Sequence, residues 1–293
     1  QSGYAALNLT VGMIVLIMGG DIVLFSLTTL IITIGFTILY IIVAKNILPI
    51  SKEYLGVIYM SDIKLMINKG FGFLMSPVWQ AIYFQGTTFV VRIVLGPEAV
   101  AIFNTVRTLT RTINQGYSLI ISAIIPELQF EIGAGNMEKA RKIFRIALSL
   151  VVMIALVGSV FLFIFGSWFY ELWTQKALIL SPMMLNIFII GIVFNAVWWT
   201  SSFIFSVMNR PYDFAWAGVL SALLSVVASY FLALQFGLIG AAIGSLLMDV
   251  ILFFYVLPKS CKLLDQSLSQ LINESIKDFK DIWLLQIKQL LIK

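Results

Sequence analysis

Three arginines lie inside otherwise apolar stretches of this chain: Arg92, Arg107 and Arg111. A cation facing hydrocarbon costs between roughly 3 and more than 10 kcal/mol, so such a side chain faces a bundle interior or a wet cavity. Around two of them the spacing is regular. Asn104, Arg107, Arg111, Asn114 or Gln115, Ser118 and Ser122 follow at steps of three or four, which places them on one face of a helix. Lipid cannot solvate such a stripe, so it must line a cavity. Arginines one turn apart also repel each other unless an anion sits between or before them. The planar guanidinium fork suits phosphate, because it bonds two oxygens at once. Arg107, Arg111, Asn104, Gln115 and Arg92 are therefore the candidate contacts for an anionic ligand. The competing reading is internal neutralisation by Glu127, Asp249 or Glu98. Arg92, near the end of its apolar run, could also snorkel to the interface.

Weaker polar stripes occur elsewhere. Ser76, Gln80, Tyr83 and Thr87 share one helical face, and Asn195, Trp198, Ser202 and Ser206 share another. Aromatic and amide groups together suit sugar rings and hydroxyls, but interhelical hydrogen bonding explains them as well. Gln80, Tyr83, Asn195 and Ser202 are the candidate cavity-lining residues. Asp249 stands alone in the last apolar run. It is either a protonatable coupling site or the partner of an arginine or hydroxyl. Gly240 with Gly244, and Ser221 with Ser225, are small pairs one turn apart that allow close helix packing. There is no histidine, which removes His-based metal sites and acid–base catalysis. No metal or cofactor is expected. The single cysteine, Cys261, cannot form an internal disulfide and reads as a membrane-edge thiol.

These residues need helices to carry them. Hydrophobic residues make up 60% of the chain and charged ones only 11%. A soluble domain is roughly a quarter charged, so this chain cannot cover itself with a water-facing surface. Apolar runs long enough to cross a bilayer predict eight spans. They are Gly3–Met18, Ile22–Ala44, Phe71–Leu95, Val100–Ile125, Ile146–Leu172, Leu178–Met208, Phe214–Phe236 and Leu238–Leu257. The fold class is all-α, a polytopic transmembrane helical bundle.

Basic residues between the spans alternate strongly. Lys45, Lys52, Lys64 and Lys69 fall between two spans, and Lys139, Arg141, Lys142 and Arg145 in a later loop. Arg210 and six lysines of the tail bring that side to fifteen, against Lys176 alone on the other. The positive-inside rule makes the richer side cytoplasmic, the C-terminus included. With an even number of spans, Gln1 is cytoplasmic too. The net charge of +5 is thus a topological signal, and nucleic acid is not an expected partner. Because the chain opens on Gln1 and enters an apolar run at once, upstream sequence is expected.

After the last span the pattern changes. Leu264, Leu268, Leu271, Ile272, Ile276, Phe279, Ile282, Trp283 and Ile287 recur at helical spacing, with lysines and acids opposite. This predicts an amphipathic helix, lying on the inner leaflet or packed on a partner or on the bundle base. Three parts follow: residues 1–68, two helices and a linker; 69–258, a six-helix unit; and 259–293, the amphipathic tail.

The run Val91-Arg92-Ile93-Val94-Leu95-Gly96-Pro97-Glu98-Ala99-Val100-Ala101-Ile102-Phe103-Asn104 resembles the turn between the seventh and eighth helices of the polysaccharide-biosynthesis flippases. The stretch Pro126-Glu127-Leu128-Gln129 with Gly133, Gly135, Asn136, Lys139 and Ala140 is similar to theirs too. The resemblance covers roughly Ile14 to Leu264. It rests on the ensemble of span pattern, loop pattern and turn. The family belongs to a superfamily shared with the lipid II flippases and the multidrug and toxin extruders, the MATE-like transporters. It implies two six-helix lobes, of which this chain would supply helices five to twelve, so that the N-lobe is incomplete. It also implies translocation of an undecaprenyl-diphosphate-linked oligosaccharide across the bacterial cytoplasmic (inner) membrane by alternating access, for surface polysaccharide such as O-antigen. The cavity arginines would hold the diphosphate. Membrane lipid and the polysaccharide polymerase machinery are the other implied partners, and the protein would not be an enzyme.

Two other classes compete. A cation-coupled multidrug extruder would need buried carboxylates more than arginines, and only Asp249 lies deep in a span. A membrane-embedded glycosyltransferase or polymerase subunit needs a catalytic acid or base in a sizeable loop. Here the scattered Glu127, Glu131 and Glu138 form no paired motif.

Overall fold

The computed structural model describes residues 2–47 and 59–278. Among them every regular element is helical: α1 (Ser2–Ile17), α2 (Ile22–Ile47), α3 (Met60–Leu95), α4 (Pro97–Gly133), α5 (Met137–Thr174), α6 (Pro182–Val207) and α7 (Tyr212–Leu263). A further helical stretch covers 268–278. The protein is an all-α polytopic bundle. Its helices are long and apolar enough to cross a membrane over Ile22–Asn46, Met137–Thr174, Pro182–Val207 and Tyr212–Leu263. The chain divides into two compact units, Gln1–Ile63 and Lys64–Lys293. In the first, α1 and α2 form a hairpin, in which the Tyr4 and Thr33 hydroxyls lie 3.0 Å apart.

Six of the eight expected apolar runs lie within a helix, α7 holding two of them, while Gly3–Met18 overruns α1 by one residue and Leu178–Met208 overruns α6 at both ends. The 52 residues of α7 would extend ~80 Å if straight, far more than one bilayer crossing. The helix breaks at Gly237 (φ 59°, ψ −137°), a conformation that a Cβ would oppose. The two halves then run antiparallel in contact. Ser225 Oγ donates to the Gly244 carbonyl at 2.8 Å, and Ser229 Oγ to that of Ala241 at 3.3 Å. A Cβ on Gly244 would stand 2.3 Å from Ser229 Cα, so the small residues permit this closeness.

The second tight turn sets the site. Gly96 (φ 90°, ψ 175°) joins α3 to α4, and Pro97 occupies the first helical position. Pro is pre-organised there, since its missing N–H would have no partner in any case. A one-residue connection brings the end of α3 back along the start of α4. Thr88 therefore faces Asn104, each eight residues from Gly96, and Arg107, one turn further along α4, reaches both Thr87 and Thr88.

The core of the second unit runs between α4, α5, α6 and the later half of α7. Phe103, Val106, Tyr117, Val151, Met184 and Ile192 are fully or almost fully buried there. Large apolar side chains such as Phe161, Phe163, Trp168 and Phe231 are more than half exposed or nearly so on the outside. A water-soluble surface does not carry such a run, and lipid is its natural solvent.

Two sequence expectations change at the polar ends. The helices outrun their apolar cores, so Lys139, Arg141, Lys142 and Arg145 lie in the first turns of α5, not in a loop. Lys139 meets Glu131, Arg141 meets Asp265, and Arg145 meets Glu274 and Asp278. The tail, as far as residue 278, packs on the base of the bundle. Leu264 and Leu271 are buried beside Leu128, Phe144 and Cys261. Arg145 binds Glu274 at 2.5 Å and Asp278 at 2.7 Å, and Arg141 Nε donates to the Leu264 carbonyl at 2.6 Å. Phe279, Ile282, Trp283 and Ile287 lie outside the described residues.

Candidate functional site

Arg107 is held on all sides by neutral groups. One terminal nitrogen donates to Thr87 Oγ1 at 2.9 Å and to the Phe84 carbonyl at 3.4 Å. The other donates to Thr88 Oγ1 at 2.8 Å and to Asn104 Oδ1 at 2.6 Å. The guanidinium carbon also lies 5.3 Å from the Phe84 ring centre and 5.2 Å from that of Phe103. No carboxylate among the described residues lies within salt-bridge distance of Arg92, Arg107 or Arg111. The Arg107 charge is therefore solvated by hydroxyls, an amide and π-faces without being neutralised.

Arg111, one turn on, is different. It stacks over the same Phe84 ring at 4.2 Å, is exposed, and has no hydrogen-bond partner among the described residues. Cation–π contact orients a guanidinium while leaving its N–H fork available. Arg111 lines a cavity of about 180 Å³ together with Gln80, Tyr83, Asn114, Gln115, Asn195, Trp198 and Asp249. A smaller cavity of about 60 Å³ shares Tyr83, Phe84, Arg111, Asn114, Asn195 and Asp249 with it and adds Arg107.

The opposite wall is one hydrogen-bonded network. Asp249 Oδ1 accepts from Asn195 Nδ2 at 2.9 Å and from Trp198 Nε1 at 2.8 Å. Asn195 Oδ1 accepts from Asn114 Nδ2 at 3.2 Å and from the Tyr117 hydroxyl. Tyr83 donates to the Ser245 carbonyl at 3.3 Å and joins α3 to α7. Three helices, α4, α6 and α7, each contribute a polar group that a lone helix in lipid could not satisfy.

Most of the expected site residues thus meet. Arg107, Arg111, Asn104, Gln80, Tyr83, Gln115, Asn195 and Asp249 gather about the two cavities, with Asn104 acting through Arg107. Two do not join them. Arg92 is exposed in the last turn of α3, beside the Gly96 turn. Ser202 lines a separate cavity of about 80 Å³ with Ser76 and Ser206, and its hydroxyl donates to the Trp199 carbonyl at 2.7 Å. The expected neutralisation of the arginines by Glu127, Asp249 or Glu98 is not found among the described residues. Asp249 is partnered by an amide and an indole, not by an arginine or a hydroxyl, because α6 presents Asn195 and Trp198 to it one turn apart.

Nothing in the sequence alone singles out Phe84, Trp79, Tyr117 or Trp199. Only the i, i+4 pair Trp79–Tyr83 and the i, i+3 pair Asn114–Tyr117 hinted that aromatics shared the polar faces. Comparison with protein-family models, curated proteins and solved structures finds no match to the chain.

Proposed function

We propose that the chain is the greater part of a transporter that moves an undecaprenyl-diphosphate-linked oligosaccharide across the bacterial cytoplasmic membrane by alternating access. The observation that supports this most is Arg111, a guanidinium in a membrane-spanning helix with no ion-pair or hydrogen-bond partner among the described residues, stacked on Phe84 and lining a cavity. A charge left unpaired there is expensive, and an arriving anion repays it. Phosphate oxygens match the fork in charge and geometry. Arg107 stands behind it as a second charge, hydrogen-bonded through both terminal nitrogens, that raises the potential without touching the ligand. The reading includes a two-lobe, MATE-like architecture, of which residues 69–258 form one lobe. The basic ends of the helices and the tail face the cytoplasm. In such a machine the protein lowers a barrier by replacing the water that a polar head group loses in the bilayer; it makes and breaks no covalent bond.

A cation-coupled extruder is the second reading. It is favoured by Asp249, a carboxylate in the same cavity with no cationic side chain at salt-bridge distance among the described residues.

The test is complementation in a bacterium lacking its own polysaccharide flippase, with membrane levels of each variant matched. Surface glycan restored by the parent and lost with Arg111→Ala is the expected result. Failure of the parent across a panel of lipid-linked substrates, together with export of cationic dyes that Asp249→Asn abolishes, would favour the extruder.

A further inference from the structure

The tail helix at the base of the bundle is covered on one side only. It spans 268–278 and starts on a reciprocal cap. Ser267 Oγ accepts from the Gln270 N–H at 3.1 Å, and Gln270 Oε1 accepts from the Ser267 N–H at 2.9 Å. Leu271, Glu274 and Asp278 lie on the side turned to α5. Leu271 is buried in one cluster with Phe144 and Leu148, and the two acids bind Arg145. A second stripe, Leu268, Ile272 and Ile276, follows at steps of four, with Ile272 ~100° round from Leu271. This stripe stays open: Ile272 and Ile276 are more than half exposed, and Leu268 is exposed as well.

What covers the stripe follows from its height on α5. Arg145 is the last charged residue before a long apolar run, the next being Glu171. Met153 and Leu156, eight and eleven residues on, return to nearly the same face as Arg145, and both are exposed. That face of α5 therefore meets lipid from ~12 Å above Arg145. A helix with its side chains is ~10–12 Å across, so the one docked at Arg145 fills the step between the lipid-facing surface and the basic end of the bundle. This is the headgroup level, where an amphipathic helix buries its apolar face ~5–10 Å deep. Charge agrees. Glu274 and Asp278, which an anionic leaflet repels, are engaged by Arg145. Lys277 and Lys262 have no acid at salt-bridge distance among the described residues. A helix this short is marginal unaided, so a second covered face matters to it. We infer that Leu268, Ile272 and Ile276 are seated in the membrane leaflet on the basic side of the bundle, which wedges the tail helix between lipid and Arg145. A second copy of the chain is a poorer occupant, because three partly exposed side chains fall well short of the ~800 Å² that each partner of a stable dimer buries. None of these residues lines the cavities about Arg111, so the leaflet seat holds or fails independently of the anion reading.

In a Cys261→Ala background, a bimane label is placed at Ile272→Cys, Ile276→Cys or Lys277→Cys. Each protein, taken from its monodisperse gel-filtration peak, is put into nanodiscs of phosphatidylglycerol and phosphatidylethanolamine. With acyl chains brominated near the glycerol, fluorescence is expected to fall about twofold or more at Ile272→Cys and Ile276→Cys, which reach the acyl boundary. It should stay unchanged at Lys277→Cys, ~140° round the helix from Ile272. Aqueous iodide should give the reverse order. Equal bromine quenching at all three positions overturns the leaflet seat, because a detached tail has no preferred face. Quenching at none of them overturns it too, and companion readings then identify the occupant. Iodide quenching at Ile272→Cys means water, a disulfide between copies of unlabelled Ile272→Cys means a second copy, and protection from both means another part of the protein.

Discussion

Asn195 Nδ2 donates to Asp249 Oδ1 at 2.9 Å across the α6–α7 contact, and this bond sets the direction of the Asn195 and Asn114 amides. With Asn195 turned toward the carboxylate, its oxygen receives Asn114 and Tyr117, and α4 is registered against α6. A side-chain network inside a bundle specifies one arrangement of helices, because any slip leaves polar groups unsatisfied in hydrocarbon.

The carboxylate can therefore be tested by shape and by charge separately. Asp249→Asn keeps an oxygen facing Asn195 and Trp198, and the variant is expected to unfold in detergent within a few degrees of the parent. Asp249→Leu strands both donors and costs about 1–3 kcal/mol for each buried group left unsatisfied. Equal melting temperatures for Asp249→Leu and the parent would show that the network does not hold the helices together.

The fold of α7 depends on space at Gly244. A Cβ there would stand 2.3 Å from Ser229 Cα, a backbone atom that cannot rotate aside. Gly244→Val is expected to abolish the folded hairpin and give aggregated or degraded protein, with Ser225→Ala, which loses one hydrogen bond, only mildly affected. Fluorescence-detected gel filtration of membrane extracts separates these outcomes.

At the polar base, Glu131 and Lys139 hold each other in their charged forms. The hydrogen bond from Lys139, helped by that of Asn136, draws the Glu131 pKa below its usual value. The same bond raises that of Lys139. A depressed carboxylate pKa contributes stability that is present above the ordinary Glu value and lost as pH falls through the folded one. The raised lysine contributes below its ordinary value and loses that contribution in strong alkali. Glu131→Gln should accordingly lower the melting temperature at pH 7, and the difference from the parent should shrink as the pH falls below the Glu range. A difference that stays constant down to pH 3 would assign the effect to packing.

The docked part of the tail gives a proteolytic prediction. Arg145 is buried between Glu274 and Asp278, so Arg145→Glu replaces two attractions by two repulsions. Trypsin should then cut at Lys262 and Lys277 faster than in the parent, by about tenfold or more for each 1.4 kcal/mol lost from the docked state. Unchanged cleavage would mean that Leu264 and Leu271 alone hold the segment.

The sequence made the elements legible, since apolar length and the four-residue spacing of Asn104, Arg107 and Arg111 are local properties. Site membership was partly legible for the same reason: a polar stripe inside an apolar run has to find an interior. Which arginine is spent on the protein was not. That depends on Thr87 and Thr88 arriving opposite Arg107 through the Gly96 turn, a pairing between helices that no single-helix period records. Phe84 and Tyr117 escaped notice because an aromatic residue in an apolar run looks like any other core residue until its neighbours are known. The basic cluster from Lys139 to Arg145 reads as a loop from charge alone, and the acids that three of its side chains meet lie on other segments, which no local pattern records.

The central claim is that Arg111 meets the anion while Arg107 supports the fold. The direct measurement is translocation of a labelled lipid-linked oligosaccharide in proteoliposomes, with thermal stability recorded on the same preparations. Arg111→Ala should lose translocation by about tenfold or more at near-parental stability. Arg107→Ala, which removes the Arg107 hydrogen bonds to Thr87, Thr88 and Asn104 and leaves Asn104 Oδ1 with the Thr88 hydroxyl, should lower stability by about 1.5–3 kcal/mol. Full translocation by Arg111→Ala would contradict the account, whatever Arg107→Ala does.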